Sequence, residues 1–132
     1  MKTKLLLTVL TCLLVFTSNA SARRYGAIAY SSGEGSFGVT GLAWNWGTSS
    51  AAVSRAIGKA RDINGGYLNG YRSYWWNHRG YNAAARGYSE DGSYVKFGWS
   101  YGWRTSSGAV NAALNKVYYY PYQRQYIYGY NP

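Results

Sequence analysis

The chain contains one segment twice. Displacing the sequence by 57 residues lays Ser32–Ala60 on Ser89–Val117 without a gap, and 12 of those 29 positions are identical. Gly35 matches Gly92, Ser36 matches Ser93, Gly41 matches Gly98, and Trp46 matches Trp103. Thr48-Ser49-Ser50 falls on Thr105-Ser106-Ser107, Ala52-Val53 on Ala109-Val110, Ala56 on Ala113 and Lys59 on Lys116. Ordered matches at constant offset mark a duplication, so the fold must be one that a single supersecondary unit builds and its copy completes.

Each copy reads as strand, turn, strand, helix. The short first strand is Gly26–Tyr30 in one copy and Ala83–Tyr88 in the other. Ser31-Ser32-Gly33-Glu34-Gly35 and Ser89-Glu90-Asp91-Gly92 carry the turn chemistry of a hairpin. Longer strands follow over Ser36–Trp46 and Ser93–Trp103. The Thr-Ser-Ser triplets then place hydroxyls where a helix needs its first amides capped, and the apolar period changes from two to about 3.6. Ala52, Val53, Ala56, Ile57 and Ala60 share one helical face, with Arg55 and Lys59 opposite; Ala109, Val110, Ala113, Leu114 and Val117 repeat that face. Gly65-Gly66 closes the first helical region and Pro121 blocks extension of the second. A third strand is expected at Gly70–Asn77 and again at Tyr122–Tyr130, although the Tyr-rich segment 118–132 reads equally as a loosely held tail. The fold class is α+β. Unit one covers about 25–77 and unit two about 81–130 of a domain at 23–117, the two joining into one mainly antiparallel sheet with both helices on one face.

Residues 1–22 read differently. Lys2 and Lys4 precede an apolar run of about 12 residues, Leu5–Phe16, and Ala20-Ser21-Ala22 supplies a small-x-small cleavage pattern. The run is short of the roughly 20 residues that span a bilayer. The expectation is a secretory signal peptide cut after Ala22, with Ala20 as the alternative, and hence a secreted or periplasmic protein. Cys12 is the only cysteine, so residues 23–132 can hold no disulfide, thiolate metal site or cysteine nucleophile. That segment carries 12 Lys and Arg against Glu34, Asp62, Glu90 and Asp91, a net charge near +8 that favours anionic partners.

Tyr25-Gly26-Ala27-Ile28-Ala29-Tyr30-Ser31 resembles the opening strand of the exported bacterial family known as domain of unknown function 4189. Gly33–Ser36, Phe37-Gly38 and Ser49-Ser50-Ala51-Ala52 follow in the order of that family's Gly turn, second strand and alanine-rich helix. The family's cysteines have no counterpart between Arg61 and Ala85. The resemblance implies export and an α+β unit, and carries no activity.

Catalytic constellations are not evident. His78 is the only histidine, flanked by Asn77 and Arg79 at a strand end with no acid beside it, and reads as a surface or turn residue. The four acids fall in turns or at a helix end, where solvated carboxylates commonly lie. Capping accounts for Ser49, Ser50, Ser106 and Ser107, and no glycine run has the form of a phosphate loop. No catalytic residue, metal or cofactor is therefore assigned, and the expectation is a non-enzymatic binding module.

Its ligand candidates come from the aromatic excess, since residues 23–132 hold 24 Trp, Tyr and Phe against 12 Val, Ile and Leu. Alternation places Leu42, Trp44 and Trp46 on one face of the first long strand, and Phe97, Trp99, Tyr101 and Trp103 on the same face of the second. The opposite face carries Val39, Gly41 and Ala43, then Lys96, Gly98 and Ser100. Either the small face meets the helices and the aromatic face looks outward, where rings stack on sugars or bases, or the aromatic face is itself the core beneath the helices. Trp75 and Trp76 must point to opposite faces, and Arg72, Arg79 and Arg86 add anion contacts. The leading partner is an anionic envelope or extracellular glycan, the runner-up a secreted protein partner of an inhibitor or immunity type. A membrane surface comes third and nucleic acid behind it; the oligomeric state is open.

Overall fold

The computed structural model describes residues 24–132, so the signal-peptide reading of residues 1–22 lies outside the described residues. The elements in order are β1 (Tyr25–Ser31), β2 (Val39–Trp46), α1 (Ser49–Ile63), β3 (Tyr71–Trp76), β4 (Gly80–Tyr88), β5 (Val95–Trp103), α2 (Ser106–Asn115) and β6 (Tyr122–Asn131). The chain is α+β and consists of two strand–strand–helix–strand units. The Tyr-rich C-terminus, open between strand and tail, is a strand of ten residues.

The single sheet does not form. Instead there are two three-stranded antiparallel sheets, ordered β2-β1-β3 and β5-β4-β6. Nor do the helices share a face: α1 covers one sheet through Ala52, Ala56 and Ala60 against Ala27, Ala29, Val39 and Ala43. α2 covers the other through Ala109, Val110 and Ala113 against Ala83 and Ala85. Ile28, Leu42, Trp76 and Ala84, with Tyr30, Trp44, Trp99 and Tyr101 at their margin, fill a third layer between the two sheets. The order is helix, sheet, sheet, helix. The physical reason lies in the aromatic faces. A continuous six-stranded sheet with both helices on one side would leave those faces in water, whereas stacking the sheets buries each against the other.

Glycine sets how closely each helix lies on its sheet. In equivalent registers Ala29 pairs with Gly41 and Ala85 with Gly98. A methyl on Gly41 would overlap the Ala56 carbonyl oxygen and lie 2.8 Å from the Ala60 nitrogen; on Gly98 it would lie 2.6 Å from the Ala113 oxygen. The repeat offset is 57 at these glycines and 56 at their alanine partners, so the turn of the second copy is one residue longer. Thr48 and Thr105 cap the helices through their hydroxyls, accepting from the Ala51 amide at 3.2 Å and the Gly108 amide at 3.0 Å.

The interface between the sheets is asymmetric. At one end the Trp76 ring of β3 stacks on Tyr101 of β5, 5.3 Å apart and 14° from parallel. At the other end the position matching Trp76 is Gly129 of β6, since Trp76 pairs with Gly26 and Gly129 with its counterpart Asn82. Trp44, matching Tyr101, lies directly on the Gly129 backbone, and a methyl there would overlap the indole. Large against large in one half and large against none in the other fill the same gap. Nearby, the buried Asn131 carboxamide accepts from the Asn45 amide at 2.6 Å and donates to the His78 carbonyl at 3.3 Å, tying β6 to the end of β2 and to the β3–β4 turn.

Candidate functional site

Alternation alone puts Trp46 with Trp44 and Trp103 with Tyr101, and the structure separates both pairs. Between Tyr25 and Ala27 the β1–β2 register shifts, and the same shift recurs between Tyr81 and Ala83. The extra residue is Asn45 in one copy and Gly102 in the other, both left-handed with φ of 63° and 75°. Such a bulge turns the following side chain to the opposite face. Trp46 consequently pairs with Tyr25 and Trp103 with Tyr81 on the helix side of each sheet. Both indoles remain well exposed there, and Trp103 packs against Gly108 at the start of α2.

A row of aromatics runs along the edge where β3 and β5 overlie one another. Tyr30 lies 4.8 Å from Phe97 and 5.4 Å from Trp99, and Trp99 lies 5.6 Å from Tyr74. A hydrogen bond that the Tyr101 hydroxyl donates to Tyr74, the charge of Tyr74 when ionised, and desolvation together hold the Tyr101 hydroxyl above its ordinary pKa. Tyr74 is 46 % exposed, so the row begins in the inter-sheet layer and ends in solvent. Beside it, Lys96, Phe97, Gly98, Trp99 and Lys116 line an open groove of about 400 Å³. The Lys116 ammonium donates to the Trp99 carbonyl and lies 5.9 Å from its ring centroid. Arg72 stands opposite Tyr30 in the β1–β3 register, on the same face as Tyr74, and is exposed.

The other edge, β2 over β6, carries the equivalent positions. Lys59 extends from α1 to donate to the Leu42 carbonyl at 2.8 Å, with its ammonium 4.0 Å above the Trp44 ring. It is therefore not on the far solvated face that helical periodicity gives it. Burial, and then the neighbouring Arg55, lower its pKa. A groove of about 560 Å³ opens between α1, β2 and β6, with Leu42, Trp44, Lys59, Ile63, Tyr126 and Tyr128 in its walls. In both copies a lysine thus covers a carbonyl on the free edge of the long strand, a device that blunts strand-to-strand aggregation.

The expected ligand residues divide accordingly. Trp44, Trp99 and Tyr101 lie in the half-buried margin between the sheets. Trp75 and Trp76 do point to opposite faces: Trp75 is 49 % exposed against Tyr25, whereas Trp76 is 2 % exposed and out of reach of any ligand. Arg86 is also occupied, donating to the Gly38 carbonyl and to the Gln125 side chain, and so is not a free anion contact. Arg79 is exposed in the β3–β4 turn beside His78, whose ring lies 4.7 Å from Tyr101. Of the two readings of the aromatic face, neither holds as stated, because the small face meets the helices and the aromatic face meets the other sheet. Sequence reasoning missed Tyr30, Tyr74, Lys59, Lys96 and Lys116 as members of these edges; the identity of Lys59 and Lys116 across the repeat was the available signal.

Among the described residues no group of three or more His, Cys, Asp and Glu is placed to hold a metal ion. In comparisons with known proteins, no family model, no curated protein and no solved structure matches this chain.

Proposed function

We propose that the protein is a non-enzymatic, exported binding module that engages an anionic glycan of the envelope or the extracellular space. The observation that carries this reading is the β3–β5 edge, where half-buried Trp99 lines an open groove with Lys96 and Lys116, and exposed Tyr74 packs against Trp99. A sugar carboxylate or phosphate would accept from the ammonium groups by charge-assisted hydrogen bonds, while the indole offers flat apolar area to the ring behind it. The net charge near +8 over residues 23–132 adds long-range attraction that salt screens. Residues 1–22 as a signal peptide, and the resemblance to an exported bacterial family, supply the compartment.

Retention on immobilised acidic polysaccharide and on peptidoglycan tests this. The protein is expected to bind, to elute as salt rises, and to lose retention with Trp99→Ala and, less steeply, with Trp44→Ala. Absence of retention, or retention indifferent to both changes, overturns the reading.

One observation favours a second reading, a protein-interaction module of inhibitor or immunity type. Tyr126, Tyr128 and Tyr130 project from one side of β6, a sheet-edge strand, and each is about half exposed; tyrosine is enriched in protein interfaces. Affinity capture from a culture of the source organism separates the readings, since a stoichiometric protein partner lost on Tyr128→Ala favours the second.

A further inference from the structure

We propose that the molecule carries the same kind of anion site twice, once on each edge of the sandwich, and so bridges two strands of an anionic polysaccharide. This rests on the reading above and extends it from one groove to two. The grooves are repeat equivalents: Gly41, Leu42 and Lys59 of one correspond to Gly98, Trp99 and Lys116 of the other. In both, the lysine donates to a carbonyl of its long strand, Leu42 or Trp99, and its ammonium approaches an indole, Trp44 at 4.0 Å or Trp99 at 5.9 Å. An ammonium has three donors; the carbonyl takes one and leaves two for a ligand oxygen.

Their placement makes the pair bivalent. β2 and β5 are outer strands, and β2 contacts β6 while β5 carries the rings that meet β3. The grooves therefore open on opposite edges and in different sheets, two strand spacings apart along the sheet and one sheet-to-sheet spacing through the sandwich, about 14 Å between the two strands. A straight polymer lying in one groove runs past the other, so each takes its own strand. The sites have diverged in strength: Lys96 adds a second cation at the β5 groove, whereas Asp62 lies in the wall of the β2 groove. The β5 groove is the tighter.

Titration calorimetry of the whole secreted chain with a short galacturonate oligomer tests this. Two oligomers bind per protein. Lys116→Met and Lys59→Met, which keep the apolar stem, each weaken one site by roughly tenfold or more and leave the other, and the double variant binds neither. With long polygalacturonate, the unaltered protein raises light scattering at low protein-to-polymer ratio, and each single variant abolishes the rise. One oligomer per protein, lost on Lys116→Met alone, overturns the second site and leaves the first standing. Scattering that persists unchanged in both variants means cross-linking by net charge and also overturns it. Absence of binding to either galacturonate overturns the paired sites, and the reading above falls with them only if the protein is also not retained on peptidoglycan.

Discussion

At Gly41 and Gly98 the helix backbones pass where a side chain would begin, which explains why both copies keep glycine in the middle of a strand despite its conformational cost. Gly41→Ala and Gly98→Ala are expected to destabilise by about 1–3 kcal/mol each through overpacking, a fall of several degrees in Tm for a domain of this size. Gly58, inside α1 with open space around its Cα, gives the opposite sign: Gly58→Ala should stabilise by about 1 kcal/mol through helix propensity. Thermal unfolding of the three variants checks both directions. Asp91 offers a pH test at the same scale. The Ser89 and Ser93 hydroxyls and the Ser93 amide all donate to its carboxylate, holding its pKa down at about 2. Because the folded-state value is depressed, this contribution to stability is present above the ordinary aspartate range and is lost as pH falls through about 2. Carboxyl chemical shifts followed through an acid titration should show Asp91 protonating at about pH 2, and Ser93→Ala should raise its midpoint.

The elements were legible where local chemistry fixes them. Thr48 and Thr105 cap helices of 15 and 10 residues at matching repeat positions, and Thr48→Ala and Thr105→Ala should each cost about 1 kcal/mol. The caps lie on helices at opposite faces, so the double variant should show the sum of the two in denaturant unfolding. The β-bulges were not read from the sequence, though a signal existed. Asn45 and Gly102 fall at one repeat position, and these are the residue types that accept left-handed backbone. Strict alternation carried Trp46 and Trp103 to the wrong face for want of that step. Lys59 was misplaced for a different reason: helical periodicity gives the direction of a side chain's root, whereas a lysine's reach is decided by which carbonyl and ring lie within its length.

At the scale of the whole molecule, duplication predicted two equal halves but not how they associate. Covering a sheet's second face depends on contacts between residues far apart in the chain, such as Trp44 with Gly129, Tyr30 with Trp99, and Asn45 with Asn131, 86 positions away. No local pattern records them. Their arrangement also decides what remains for a ligand, since stacking the sheets withdraws Trp76 and leaves only the margins at Trp99, Tyr74 and Trp44. Both proposed grooves depend on that stacking. The most direct test is a nuclear Overhauser spectrum of the protein with assigned aromatic side chains. Cross-peaks between the rings of Tyr30 and Trp99, and between those of Trp76 and Tyr101, are the predicted result. Their absence, together with backbone cross-peaks joining a strand of the first unit laterally to one of the second, would contradict the paired sheets and remove both grooves with them.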